Sequence, residues 1–128
     1  DELTNEEVSL YGVWGAAADD VYIAGSHGTI LHFDGNEENE WKPMESGTEE
    51  YLLGIWGSSS SDIFAVGDNA TILHYDGKSW SPMDSGTEKY LTKVRGLGSD
   101  RVYAVGDDGL VIRYDGEKWT DMSLGGNG

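Results

Sequence analysis

The sequence predicts an all-β fold: three four-stranded antiparallel β-propeller blades, half of a closed ring. Two observations lead there. First, one pattern is written three times. Val13-Trp14-Gly15 returns as Ile55-Trp56-Gly57 and as Val94-Arg95-Gly96. His32-Phe33-Asp34-Gly35 returns as His74-Tyr75-Asp76-Gly77 and as Arg113-Tyr114-Asp115-Gly116, at offsets of 42 and then 39 residues. A period near forty with strand-like content marks a propeller blade or a related stacked array. Second, no stretch holds the apolar spacing of a helix, and 19 glycines punctuate the 128 residues, which suits short strands joined by turns.

The middle unit shows the elements in order. Residues 51–56 form a short apolar run ended by Gly57, and the serines of 58–61 read as a polar loop. Residues 62–66 form a second run ended by Gly67, and Asp68-Asn69 makes a tight turn. Residues 71–75 form the third run, and Asp76-Gly77 is a strong hairpin signal. Residues 80–83 form a shorter fourth strand. The first three strands are apolar on both faces, as strands covered on both sides are. The fourth is more polar and carries Pro43 or Pro82, which an edge strand tolerates. The first strand is therefore expected innermost and the Trp-Met strand on the rim, in blades at about 8–47, 48–86 and 87–124 of one propeller segment spanning 1–128. Residues 11–35 and 53–77 agree at 11 of 25 positions, the mark of a drifted duplication. The first unit carries three extra residues in its last hairpin, around Asn36 to Glu40, and the polar segment 1–7 is expected to fray.

Composition bounds the function. Hydrophobic residues make up 38%, including 5 Trp, 7 Tyr and 2 Phe, enough to build a core. Acidic residues outnumber basic ones 24 to 8, for a formal charge of −16. Such a field repels phosphate backbones and anionic lipid, so neither nucleic acid nor a membrane surface is an expected partner. Cysteine is absent, which removes disulfides, thiolate metal sites and a cysteine nucleophile. No apolar run approaches the roughly 20 residues of a membrane span.

The repeat, with its Asp-Gly hairpins and following Trp, resembles the tandem repeats of bacterial secreted or cell-surface β-propellers. It is similar to the photosystem II assembly-factor propellers and, more distantly, to the Asp-box repeats of sialidase-like propellers. The resemblance covers about residues 10–122. It implies that Asp34, Asp76 and Asp115 staple hairpin turns by accepting backbone N–H groups, and that Trp41, Trp80 and Trp119 pack the blades. His32, His74 and Arg113 stand where the strict Asp-box has Ser. The resemblance also implies a secreted or cell-surface setting. It says little about function, because one fold hosts many.

Functional candidates are fewer. His32 and His74 occupy equivalent positions and read as packing and hydrogen bonding between blades, with Arg113 in the third unit unable to ligate a metal. His27 falls in a turn and is expected to face solvent. The turns at Asp68-Asn69 and Asp107-Asp108 suit side chains that mimic turn hydrogen bonds, and they rim the face on which propellers commonly hold ligands. Tyr51 and Tyr90, beside Glu49-Glu50 and Glu88-Lys89, join them as candidate contacts to a sugar or a cationic peptide. No EF-type calcium loop is present. The only arginines, Arg95, Arg101 and Arg113, all lie in the last unit. No nucleophile-elbow, zinc-protease or phosphate-loop motif occurs. The expectation is a non-enzyme without metal or cofactor.

Closed propellers have about four to eight blades. Three leave an apolar face open at each end, and two copies joined head to tail bury both in a six-bladed homodimer. The expected function is a self-assembling ring used for binding or as a scaffold. The alternatives are the sugar-contacting part of a secreted glycan-processing enzyme, and an engineered or fragmentary assembly with no ligand.

Overall fold

The computed structural model describes residues 8–35, 38 and 41–123. The strands are β1 (Leu10–Ala17), β2 (Asp20–Gly25), β3 (Ile30–Phe33), β4 (Lys42–Pro43), β5 (Leu52–Ser59), β6 (Asp62–Gly67), β7 (Ile72–Tyr75), β8 (Trp80–Pro82), β9 (Leu91–Gly98), β10 (Arg101–Gly106), β11 (Val111–Tyr114) and β12 (Trp119–Asp121). They form three antiparallel sheets of four, each a simple meander in chain order. The register repeats: Trp14 faces Tyr22, Trp56 faces Phe64 and Arg95 faces Tyr103. The first strands β1, β5 and β9 pack side by side. This puts them innermost, as the apolar runs predict.

The core lies between the sheets, not within them. One cluster joins Tyr22, Ala24 and Ile30 of the first blade to Leu52, Ile55, Ile63, Ala65, Leu73 and Trp80 of the second. The other joins Phe64, Val66 and Ile72 of the second blade to Leu91, Val94, Val102, Ala104, Leu110, Ile112 and Trp119 of the third. Successive residues of a strand point to opposite faces, so Ile55 packs back on the first blade while Trp56 packs forward on the third. That is why these strands are apolar on both faces. Fully burying a side chain such as Phe64 or Ile63 contributes about 1.5–3 kcal/mol.

Glycine sets how closely the blades approach. A Cβ on Gly54 would lie 3.0 Å from Lys93 Cα, and one on Gly96 would lie 2.6 Å from the Trp56 ring. The innermost strands therefore meet backbone to backbone, and the six-membered rings of Trp14 and Trp56 each reach a glycine of the next blade, Gly57 and Gly96.

Three details differ from the sequence reading. The serine loop is shorter, because β5 continues through Ser59 and turns only at Ser60 and Ser61. Asp68-Asn69 belongs to a three-residue 3-10 turn, 68–70, in which Asn69 and Ala70 both have positive φ. The fourth strands are only two or three residues long, although the Met83 N–H still donates to the Ile72 carbonyl at 2.8 Å. Residues 1–7, expected to fray, and most of the Asn36–Glu40 insertion lie outside the described residues.

Candidate functional site

The turns that follow β2, β6 and β10 lie at the same end of each blade as the approach to its first strand. The Asp68 N–H donates to the Tyr51 carbonyl at 3.0 Å, and the Asp107 N–H donates to the Tyr90 carbonyl at 3.1 Å. Gly67 and Gly106 sit under these contacts. A Cβ on either would overlap the carbonyl oxygen of Tyr51 or Tyr90. The strand-ending glycines thus set the distance between each turn and its tyrosine, and Asp68, Asn69, Asp107, Asp108, Tyr51 and Tyr90 share one face.

Within that face, Tyr51 is the hub. Its ring stacks on Tyr11 at 6.2 Å and meets the His27 ring edge-on at 5.0 Å, with His27 Nε2 3.5 Å from the hydroxyl. Beside it, Asn69 Nδ2 donates to Glu50 Oε1 at 2.9 Å. Partial burial, followed by the charges of Glu50 and Asp107, pushes the Asp68 carboxyl above its usual range. Tyr90 and Asp108 are exposed. A groove of about 640 Å³ runs from His27 along the link between the first two blades, past Met44, Ser46 and Thr48. Sequence reasoning missed two members of the cluster. His27 does sit in an exposed turn, but it packs on Tyr51. Tyr11 reads as one more apolar strand residue, and it stands at a register shift between Leu10 and Gly12 that recurs at Leu52/Gly54 and Leu91/Lys93. No local pattern announces that shift.

The two repeated histidines bond within blades, a correction to the expected inter-blade role. His32 Nε2 donates to Asp20 Oδ1 at 2.7 Å, and His74 Nε2 donates to Asp62 Oδ1 at 2.6 Å. His32 also stacks on Tyr22 of its own blade at 4.2 Å. The physical reason is the hairpin register, which places the start of β2 or β6 beside the end of β3 or β7. Ser58 also donates to Asp62, so serine, aspartate and histidine meet at one point. The aspartate stands in the middle, and the histidine therefore has no access to the serine proton. This is the wrong order for a nucleophilic triad. Among the described residues no three His, Cys, Asp or Glu side chains are grouped to hold a metal.

The structural repeat residues behave as turn and packing groups. Asp76 Oδ1 accepts the N–H groups of Lys78 and Ser79 at 2.9 and 3.0 Å, and Asp115 Oδ1 accepts those of Glu117 and Lys118 at the same distances. These bonds hold both carboxyls below the usual range. Asp34 pairs with Lys42 at 3.6 Å, while residues 36 and 37 of its turn lie outside the described residues. Trp80 stacks on Tyr75 at 5.1 Å, and Trp119 lies 5.3 Å from Tyr114 and edge-on to Phe64 of the preceding blade at 6.0 Å. Trp41 makes the equivalent contact within its own blade. It touches Phe33 at 5.5 Å, outside β4, with no blade before it.

No family model matches the chain, and no curated protein matches it. Solved structures do. YCF48 bound to D1 peptide superposes with a TM-score of 0.71 at 17% identity, over 91% of this chain and 42% of that one. YCF48 from Cyanidioschyzon merolae superposes with a TM-score of 0.71 at 19% identity, over 91% of this chain and 37% of that one. The chain thus spans less than half the length of these neighbours. At such identity the likeness shows fold alone, and it agrees with the sheets described above: three blades of a β-propeller.

Proposed function

We propose that the chain is a non-enzymatic peptide-binding module that works as half of a six-bladed ring, completed by a second copy. The observation that carries the binding reading is the Tyr51 cluster. It offers two stacked tyrosines and a histidine edge beside the Glu50–Asn69 pair, on the face where the turns converge. Aromatic rings beside carboxylates suit a peptide carrying Lys or Arg, through cation–π and charge-assisted contacts. A neighbour solved with a peptide supports that ligand class. A secreted or cell-surface setting goes with this proposal.

The ring half of the proposal rests on quasi-equivalence. Val13 is 63% exposed, whereas Ile55 and Val94 at the same repeat position are each 1% exposed. Trp41 is 39% exposed against 8% for Trp80 and 7% for Trp119. At the other end, Val105 and Met122 lie bare, whereas Val66 and Met83 pack on the third blade. Each open face needs a blade, and each copy supplies the one its partner lacks.

A peptide array probed in parallel with a glycan array tests the binding reading. The expected result is retention of Lys- or Arg-containing peptides, weakened at least tenfold by Tyr51→Ala. Selective retention of glycans, or peptide binding indifferent to Tyr51→Ala, overturns it.

A further inference from the structure

Between blades the contacts follow one rule, and the third blade breaks it. The outer ring of Trp14 lies over Gly57, and the outer ring of Trp56 lies over Gly96. The next residue in that series is Arg95, exposed at the open face of the third blade. The glycine at the other end of the series is Gly15. Among the described residues, the atoms nearest to where its Cβ would stand all belong to its own blade: Val21, Ala17 and the carbonyl of Asp20. Gly15 is a glycine without its indole, and Arg95 is the residue that would cover it.

A second position changes in the same sense. Gly12 and Gly54 have no side chain because the next innermost strand is 3.0–3.3 Å from where their Cβ would stand. The third member of that series is Lys93. Its Cβ asks the facing strand to give by a few tenths of an ångström, so a third-blade junction is looser at the axis than the internal two. Close packing has been exchanged there for two cations.

Charge is uneven along the chain. Six of the eight basic residues fall within 87–124, and eleven of the 24 acidic ones fall within 1–47. The only basic residue of that acidic first segment is Lys42. The hairpin beside Gly15 carries Asp19 and Asp20. The 87–124 segment also holds seven acidic residues and is close to neutral, so a third blade meeting the first blade of a second copy brings opposite charges together only locally, where Lys93 and Arg95 approach Asp19 and Asp20.

Resting on the ring reading above, we propose that the ring is closed by an electrostatic junction, in which Arg95 of one copy lies over Gly15 of the other and Lys93 flanks it at the axis. A guanidinium is planar like an indole and brings five donors, and here they face the Asp20 carbonyl and the acidic hairpin. In the isolated chain, Arg95 Nη1 donates to its own neighbour's carbonyl, Val94, at 3.0 Å. Pairing by charge makes closure salt-dependent, unlike the apolar seams inside each chain. Two-fold symmetry makes both junctions identical.

The test is the dimer dissociation constant, by sedimentation equilibrium at low and high NaCl, for the full chain and three variants. Residues 15 and 95 border open faces, and circular dichroism checks that each variant keeps its blades. Arg95→Glu and Gly15→Leu are each expected to weaken the dimer at least tenfold. Arg95→Trp is expected to keep a dimer with a flatter salt dependence. Mixing Arg95→Glu with Gly15→Leu is expected to recover dimer, because the mixed pair contains one junction with native Arg95 and Gly15. A wild-type dimer unaffected by both weakening variants overturns this junction and leaves the ring standing. A wild type that stays monomeric overturns the ring, and the junction with it.

Discussion

His74 Nε2 lies 2.6 Å from Asp62 Oδ1, and the same contact recurs 42 residues earlier between His32 and Asp20 at 2.7 Å. Each bond ties the start of a blade's second strand to the end of its third, and Asp62 is half-buried. Removing either partner leaves the other short of a hydrogen bond. Asp62→Ala and His74→Ala are each expected to cost about 1–3 kcal/mol. The double variant should cost clearly less than the sum, since both lose one contact. Urea titration of the three variants measures this, and strict additivity would contradict the pairing.

Trp119 and Trp41 hold the same repeat position in opposite circumstances. Trp119→Ala removes an indole from the seam between the second and third blades and is expected to cost about 3–5 kcal/mol. Trp41→Ala should cost no more than about 1 kcal/mol in the monomer, as at an open surface. Its effect should appear as weaker dimerisation instead. Melting temperature and dimer affinity, measured side by side, separate the two.

Ala70 adopts a φ of 61°, where the first and third blades have Gly28 and Gly109 at 72° and 74°. The left-handed region costs a non-glycine residue about 1–2 kcal/mol. Glycine adds unfolded-chain freedom worth about 0.4–1 kcal/mol. The difference favours the substitution, so Ala70→Gly is expected to stabilise by about 0.5–1 kcal/mol in chemical denaturation. A loss of stability would show that the alanine methyl makes contacts that outweigh its strain.

Acid should weaken the fold through its hairpin carboxylates. Asp76 and Asp115 are held below the usual range by backbone N–H groups. Their stabilising effect is present above the ordinary unfolded value and is lost as pH falls through the folded one. Asp68, pushed up by burial and by Glu50 and Asp107, acts in the opposite sense: its ionisation disfavours the fold, and acid relieves it. The double variant Asp76→Asn, Asp115→Asn keeps the acceptor oxygens without the charge. Its melting temperature should fall less than that of the wild type between about pH 5 and about pH 2. Equal slopes would contradict the assignment.

Much of the blade was legible in the residues, for a physical reason. Apolar runs bounded by Gly57, Gly67 and Asp76-Gly77 leave little freedom in strand order, and two-faced apolarity announces neighbours on both sides. The turn-face candidates Tyr51, Asp68 and Asn69 also converge as the repeat implies. What stayed hidden depends on register. The partners of His32 and His74 follow from which strand ends meet, and Tyr11 stands at a break in the ladder that each blade repeats. The open Gly15 becomes visible only once Gly57 and Gly96 are seen under their indoles.

Whether two chains close one ring is read most directly from the mass in solution, by light scattering over a range of concentrations at low salt. The chain weighs 13.9 kDa, and a two-fold ring of about 28 kDa is expected. A single species of 13.9 kDa at every concentration would contradict it.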